Sequence, residues 1–385
     1  MVLALETQTR TLMEENPMAR SRMMLAISAT TILLVTACGG SGSGAPAATS
    51  AAVASGTKTA AAKPPRATVK VSIGSAASLI YLPWDLAKAL NYFEDENLDV
   101  QLNYAAAGTE AATALLSGSV DFTGNSLDHS IKAQIAGKPT KMVVSFAKLP
   151  GTALIVRGDL KDTVKSVKDL KGQTVGATSV GSGTHLLLTF MMNQAGLIQD
   201  KDYTFKPCGS GTMAATLDSK GAAACMNSDP FITSYVNAGK GFVMPGGDLR
   251  IEKDTTALLG GTYQFTGAVT TQDFITKNPD VVQRVVNALV KADRYFAANA
   301  AKDVAAKLPD SVTGTDRDLY IKALDIAKGY YSPDGIIDQK GVDNVLRLNV
   351  EDCKQNPTLC PNLKPTDQVD SKALFDNSFA QKVAK

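Results

Sequence analysis

Lys171-Gly-Gln-Thr-Val-Gly-Ala-Thr-Ser-Val-Gly-Ser-Gly-Thr-His185 is the stretch around which this chain is organised. Gln173 to Ala177 reads as a short buried strand. Thr178 to Gly183 are small, mostly hydroxyl-bearing or glycine, and Thr184 is placed to cap a helix on which Leu187, Leu188, Met191 and Met192 recur at helical spacing. A strand that gives way to bare amides at a helix N-terminus makes an anion-sized socket. Phosphate loops use the same physics. The Walker pattern, however, needs lysine where Ser182 stands, and the dinucleotide fingerprint needs a third glycine where Leu186 stands. The socket therefore suits a small ligand held by amides and hydroxyls, unless the stretch is an ordinary strand-to-helix turn. The rest of the chain weighs on that choice.

Residues 1–17 carry little information, and Met18 or Met23 is an alternative start. Arg20 and Arg22 precede an apolar run from Met23 to Ala37, which is too short to span a membrane as a stable helix. The run ends in Val35-Thr36-Ala37-Cys38-Gly39, which resembles a bacterial lipobox and makes Cys38 the expected lipidated first residue of the mature protein. Residues 1–38 are then a lipoprotein signal peptide. Residues 39–66 are almost all Gly, Ala, Ser, Thr or Pro and contain no acidic side chain, so they read as a flexible tether. A coil of that length reaches roughly 30 Å. An anchor and a tether imply a globular body working outside the cytoplasm, close to a membrane.

That body, from residue 67 to 385, is too long for one core and predicts two lobes. Residues 1–38 remove equal numbers of basic and acidic side chains, so the exported chain keeps the net charge of +2. So small a charge, with no basic stripe, argues against nucleic acid as a partner.

Strands are predicted at Val69–Ile73, Leu98–Leu102, Val120–Thr123 and Lys141–Ala147, with helices between them. Thr109 is the expected N-cap of the second helix, Asn125 and Ser126 begin the third, and Gly118 and Gly137 close them. The order βαβαβαβ predicts a parallel, doubly wound α/β sheet. The second half repeats it, with strands at Gln173–Ala177, Tyr203–Pro207, Ala222–Met226 and Gly241–Met244. The halves even share letters: Gly108-Thr-Glu-Ala-Ala-Thr113 matches Gly211-Thr-Met-Ala-Ala-Thr216 at all but one position, each between a strand and a helix. Ligands of open α/β sheets sit beyond the carboxyl ends of the strands. Two facing lobes would set residues 75–82, 107–110 and 124–129 against 178–185, 209–212 and 228–231. The residues expected to meet a solute there are Ser75, Tyr81, Gly108, Thr109, Asn125, Ser126, Ser179, Ser182, Thr184, His185, Ser210, Thr212 and Asp229.

Several pieces, in order, carry a family likeness. They are Tyr81-x-Pro83-x3-Ala87-x3-Asn91-Tyr92-Phe93-x2-Glu96-Asn97-Leu98-x-Val100, Leu115-x-Ser117-Gly118-x2-Asp121-Phe122, Ala136-Gly137-x-Pro139, Val167-x-Asp169-Leu170-x-Gly172-x2-Val175-Gly176 and Asn278-Pro279-Asp280-Val281-Val282. On these the body resembles the solute-binding proteins of bacterial ABC importers, in the branch of nitrate, sulfonate, taurine and thiamine-precursor binders. Asn91 and Asn97 depart from the family's common glycine, but asparagine tolerates the left-handed turn expected there. The resemblance implies a type II periplasmic-binding-protein fold: two doubly wound lobes, crossing strands at Ala153–Arg157 and Gln264–Thr270, and hinge closure on the ligand. The implied boundaries are 67–152 for the first part of lobe I, 153–264 for lobe II, and 265–385 for the return to lobe I with the C-terminal helices. It further implies a monomer that delivers a small-molecule solute to an ABC permease, without cofactor.

His129 and His185 are the only histidines, and no HxxxH or CxxC spacing points to a metal. His185 reads either as a ligand contact or as a capping residue. After Cys38, four cysteines remain. Cys353 and Cys360 bracket a proline-containing loop and are expected to pair; Cys208 and Cys225, at the ends of strands taken to be neighbours, can pair too. The rival class is the pyrimidine-precursor synthases that resemble this fold, but they carry a run of cysteines for iron that this chain lacks. A hydrolase would want Gly-x-Ser-x-Gly, which is absent. A binding protein that feeds a sensor is not separable from an importer component by sequence. For the ligand, helix N-termini and hydroxyls favour a sulfonate, carboxylate or similar oxyanion. The six loops contain no Arg or Lys, which argues against a multiply charged anion, and Asp229 offers a place for an amine. The anchor has a direct test: Cys38→Ala should release the protein from membranes or block its processing, read by membrane fractionation and the mass of the mature N-terminus.

Overall fold

Strand β1 (Ala67–Ile73) begins the first sheet, with Val69, Val71 and Ile73 fully buried and Lys70 pointing out. The computed structural model describes residues 64–355 and 369–383, within the unit Ala61–Lys385. Cys38, the tether up to residue 63, and Cys360 lie outside the described residues. The other strands are β2 (Leu98–Tyr104), β3 (Phe122–Ser126), β4 (Thr140–Ser145), β5 (Thr152–Arg157), β6 (Thr174–Ala177), β7 (Thr204–Pro207), β8 (Ala224–Ser228), β9 (Gly241–Asp248) and β10 (Thr266–Thr271).

They form two five-stranded sheets, in the orders β2-β1-β3-β10-β4 and β7-β6-β8-β5-β9. In the first, β1 runs parallel to β2 and β3, as expected. β10 is inserted antiparallel between β3 and β4, so the sheet is not purely parallel. The second sheet repeats the pattern, with β5 antiparallel between β8 and β9. The two inserted strands are the expected crossings. Each leaves one half of the chain to complete the other half's sheet, a long-range pairing that no local pattern encodes.

Local turn chemistry agrees with the sequence. Asn91 and Asn97 adopt φ of 59° and 54°, the left-handed conformation that asparagine tolerates. Pro83 lies in the first turn of the helix Leu82–Ala89. The boundary after β3 differs: Asn125 and Ser126 end the strand, and the helix begins at Asp128. The C-terminal region also reaches further than a return to the first lobe. The helix Gln339–Gln355 packs on Gly183–Gln194 of lobe II as well as on Asp128–Ile135 of lobe I, and Arg317–Ala327 packs on Phe231–Asn237 of lobe II. Among the described residues no helix is long and apolar enough to cross a membrane.

Cys208 and Cys225 are bonded, with Cα atoms 6.3 Å apart. Their strands are not neighbours, contrary to the expectation: β6 lies between β7 and β8. The bond passes over Gly176 of β6, where an added Cβ would lie 2.5 Å from the Lys206 carbonyl oxygen and 2.7 Å from the Cys208 Cβ. Cys353 is also disulfide-bonded. Gly176→Ala should therefore destabilise the fold by about 1–3 kcal/mol, read as a lower midpoint in urea unfolding.

Candidate functional site

The carboxyl ends of β1, β2 and β3 face those of β6, β7 and β8 across a cleft. Around it stand Gly74, Ser75, Ser78, Ile80 and Tyr81 after β1, Gly108 after β2 and Ser126 at the end of β3. From the other side come Thr178, Ser182, Gly183 and Thr184 after β6, Ser210 after β7 and Ser228 at the end of β8, with Phe265 preceding β10. The space they enclose is narrow, about 20 Å³. All six loops singled out from the sequence contribute, and hydroxyls predominate.

The two lobes build their halves alike. Asn125 donates from Nδ2 to the Gly108 carbonyl at 2.8 Å, and its Oδ1 accepts the Ser126 amide at 2.9 Å. Asn227 donates to the Cys208 carbonyl at 3.2 Å, and its Oδ1 accepts the Ser228 amide at 2.9 Å and the Ser210 hydroxyl at 3.2 Å. Both asparagines are buried. Each thus satisfies backbone groups at a strand end and leaves the next serine facing the cleft. Asn125 is therefore a brace of the loop that carries Gly108.

Thr109, Ser179, Thr212 and His185 stand outside the lining of the cavity, and Ser182 and Thr184 within it serve the local fold. Thr109 is not an N-cap; Ala107 holds that position, and the Thr109 hydroxyl lies 3.2 Å from that of Ser179, a contact between the lobes. Thr212 is exposed and donates to the Gly209 carbonyl at 3.2 Å. The cap of Gly183–Gln194 is Ser182, whose Oγ accepts the His185 amide at 3.2 Å, while Thr184 bonds Thr178 at 2.7 Å. His185 turns both ring nitrogens to the protein rather than to the cleft. Its Nδ1 accepts the Gly181 amide at 3.0 Å, which leaves Nε2 to donate to Gln199 Oε1 at 2.9 Å. Burial, chiefly, lowers its pKa below the ordinary value, which suits this neutral bracing role.

Asp229 is fully buried and fully engaged, so it is not the expected amine site. Its Oδ1 accepts from the amide and hydroxyl of Thr233 at 3.0 and 2.6 Å, and its Oδ2 pairs with Arg250 Nη1 at 3.0 Å. Arg250 also grips Asp248 at 2.7 Å. An ion pair this buried needs every member, and none is spare for a solute.

A clasp between the lobes escaped the sequence reading. Lys132, in the helix Asp128–Ile135, donates to the Gly181 carbonyl across the cleft at 2.7 Å and to Asp128 Oδ2 at 3.3 Å. Asp128 is buried against the start of Gly183–Gln194: a Cβ on Gly183 would lie 2.9 Å from Asp128 Oδ1 and 2.6 Å from Ser126 Oγ. A carboxylate of one lobe thus sits at the positive end of a helix of the other. Burial alone would raise the Asp128 pKa, but His129, Lys132 and the Ser126 hydroxyl offset it and the net is downward. Burial also holds His129 down at about 4, so at neutral pH its ring is uncharged and Lys132 is the cation of the pair. Ser78 and Ser228 were missed as well. Their hydroxyls meet across the lobes at 2.6 Å, beside the Leu79 amide bonded to the Asp229 carbonyl at 2.8 Å. For Ser228 the available signal was the repeated Asn-Ser pair, Asn125-Ser126 and Asn227-Ser228, in matching places of the two halves.

A family model described as NMT1/THI5 like matches residues 81–302, more than half of the chain and most of both halves of the cleft. The chain belongs to the NMT1/THI5-like family. The chain is similar to YtlA of Bacillus subtilis, at 24% identity over 73% of this chain and 83% of that protein. It is also similar to the 4-amino-5-hydroxymethyl-2-methylpyrimidine phosphate synthase THI11 of Saccharomyces cerevisiae, at 24% identity over 58% of this chain and 65% of that one. The fold is the periplasmic-binding-protein fold, shared with the alkanesulfonate-binding protein SsuA of Xanthomonas axonopodis pv. citri, solved bound to MOPS. The TM-score is 0.64, at 18% identity, over 81% of this chain and all of that one (100%). Among the described residues of this family member, no cluster of three or more His, Cys, Asp or Glu is placed to hold a metal.

Arg250→Leu would leave Asp229 buried without its cation. It should cost about 3–5 kcal/mol in urea unfolding, and adding Asp229→Asn should restore part of that loss.

Proposed function

We propose that this NMT1/THI5-like protein captures a small organic oxyanion or zwitterion between its lobes and delivers it to an ABC importer, held at the outer face of a membrane through Cys38. It acts as a monomer and a binder, not as a catalyst. The observation that carries this reading is the lining of the cleft: hydroxyls supplied by both lobes at the ends of β1, β3, β6, β7 and β8, with the N-terminus of Gly183–Gln194 among them. Hydroxyls and helix amides hold a sulfonate or carboxylate without the desolvation cost of a buried cation. The nearby cations are committed, Lys132 to Asp128 and Gly181, and Arg250 to Asp229 and Asp248. That favours one negative charge, or a zwitterion, over a multiply charged ion. The alkanesulfonate that SsuA holds in the same fold supports the class. The bonds Thr109–Ser179, Lys132–Gly181 and Ser78–Ser228 are the contacts that hinge closure would make and break.

Denaturing the purified protein and identifying the released small molecule by mass spectrometry tests the class directly. Titration calorimetry of that molecule should then give a dissociation constant, and at about 100 times that constant the fold should gain roughly 2.7 kcal/mol. Ser182 is too structural to probe, being the helix cap. Ser75, on the loop after β1, bonds only to the Ala76 carbonyl. Ser75→Phe, a bulky side chain at a buried position of the narrow cleft, should obstruct it and weaken binding at least tenfold, with cooperative unfolding retained in urea. Undiminished affinity in that variant, or release of a cationic solute, would overturn the placement. Turnover of the solute into a pyrimidine phosphate would favour the synthase reading that the yeast relative offers.

A further inference from the structure

We propose that the Cys208–Cys225 bridge is a positioning element of the cleft, a strap that holds the two lobe II serines, Ser210 and Ser228, where a solute meets them. The proposal rests on the reading of the cleft as the binding site. The bond joins the residue after β7 to the second residue of β8 over the intervening β6, at Gly176. A link between non-adjacent strands adds a constraint that the hydrogen-bond ladder does not supply. Cys208 is held at three points: by its sulfur, by its amide on the Ala177 carbonyl at 2.7 Å, and by its carbonyl on Asn227 Nδ2 at 3.2 Å. Asn227 in turn accepts from Ser210 and from the Ser228 amide. The path from the bond to both serines is therefore one side chain long.

The other lobe shows what the strap replaces. There Asn125 makes the matching bonds, but Thr123 stands two residues before it, where Cys225 stands two before Asn227. The partner of Asn125 is Gly108, the first residue of a nine-residue helix, Gly108–Leu116, whose own ladder fixes the loop. The partner of Asn227 is Cys208, followed by a 3-10 turn, Ser210–Thr212, and a helix of only six residues, Met213–Asp218. A 3-10 turn and a short helix hold their geometry less firmly than a longer helix does. The covalent link sits where that support is weaker. Both half-cystines are completely buried, so the bond serves the interior under the site rather than the surface.

Hydrogen exchange read by mass spectrometry tests this on the full chain, without solute, in wild type and in the Cys208→Ala/Cys225→Ala variant. Amides in 208–212 and 226–229 should exchange at least tenfold faster in the variant, while 105–110 and 124–127 of the other lobe stay within twofold. Unchanged exchange at 208–212 would overturn the proposal. So would an equal rise through both lobes, which is what a purely stabilising bond would give. Should the double alanine variant not fold, Cys208→Ala/Cys225→Val, which refills the core at β8, is read in the same way. No solute enters the measurement, so its failure and a failure of the binding reading are separate results.

Discussion

Each sheet is completed by a strand from the other half of the chain. β10 lies antiparallel between β3 and β4, and β5 between β8 and β9, so β4 and β9 reach their sheets only through an exchanged strand. The lobes are thereby tied by two passages of chain, and the carboxyl ends of their parallel strands are set face to face. A cleft in that place follows from topology, before any side chain is considered. The helices Gln339–Gln355 and Arg317–Ala327 add contacts to lobe II from the C-terminal region, so the pairing of the lobes does not rest on the crossings alone.

Much of this was legible in the sequence because it is local. Strand ends, glycine stops, the left-handed Asn91 and Asn97, and the repeated Gly-Thr-x-Ala-Ala-Thr all report conformations set within a few residues. Together they located the six loops, and every one of them borders the cavity. What was not legible depends on distant partners. Nothing near Asp229 in the sequence announces that Arg250 neutralises it, and nothing near His185 points to Gln199. Nor could spacing show that Cys208 and Cys225 bond over β6 instead of between neighbours. Ser78 and Ser228 became visible only when the lobes were placed together.

The electrostatics of the cleft follow one rule. Charges at its edge are paired within the protein: Asp128 with Lys132, and Asp229 with Arg250. The rest of its lining is mostly neutral hydroxyls, with oriented amides among them. Such groups discriminate by hydrogen-bond geometry more than by net attraction, and they avoid the cost of stripping water from a lone buried ion. Both lobes achieve this with the same device, a buried asparagine that ties down the neighbouring loop and presents the next serine. The family assignment and the shared fold agree with a solute held between lobes, and the chain's own hydroxyls give that reading its chemistry.

A crystal structure of the protein purified with the solute it retains tests the central claim most directly. The account predicts density for a small oxyanion or zwitterion between the lobes, within hydrogen-bond distance of hydroxyls from both, among them Ser126 and Ser228. Solute density outside this cleft, or contacts made to one lobe alone, would contradict it.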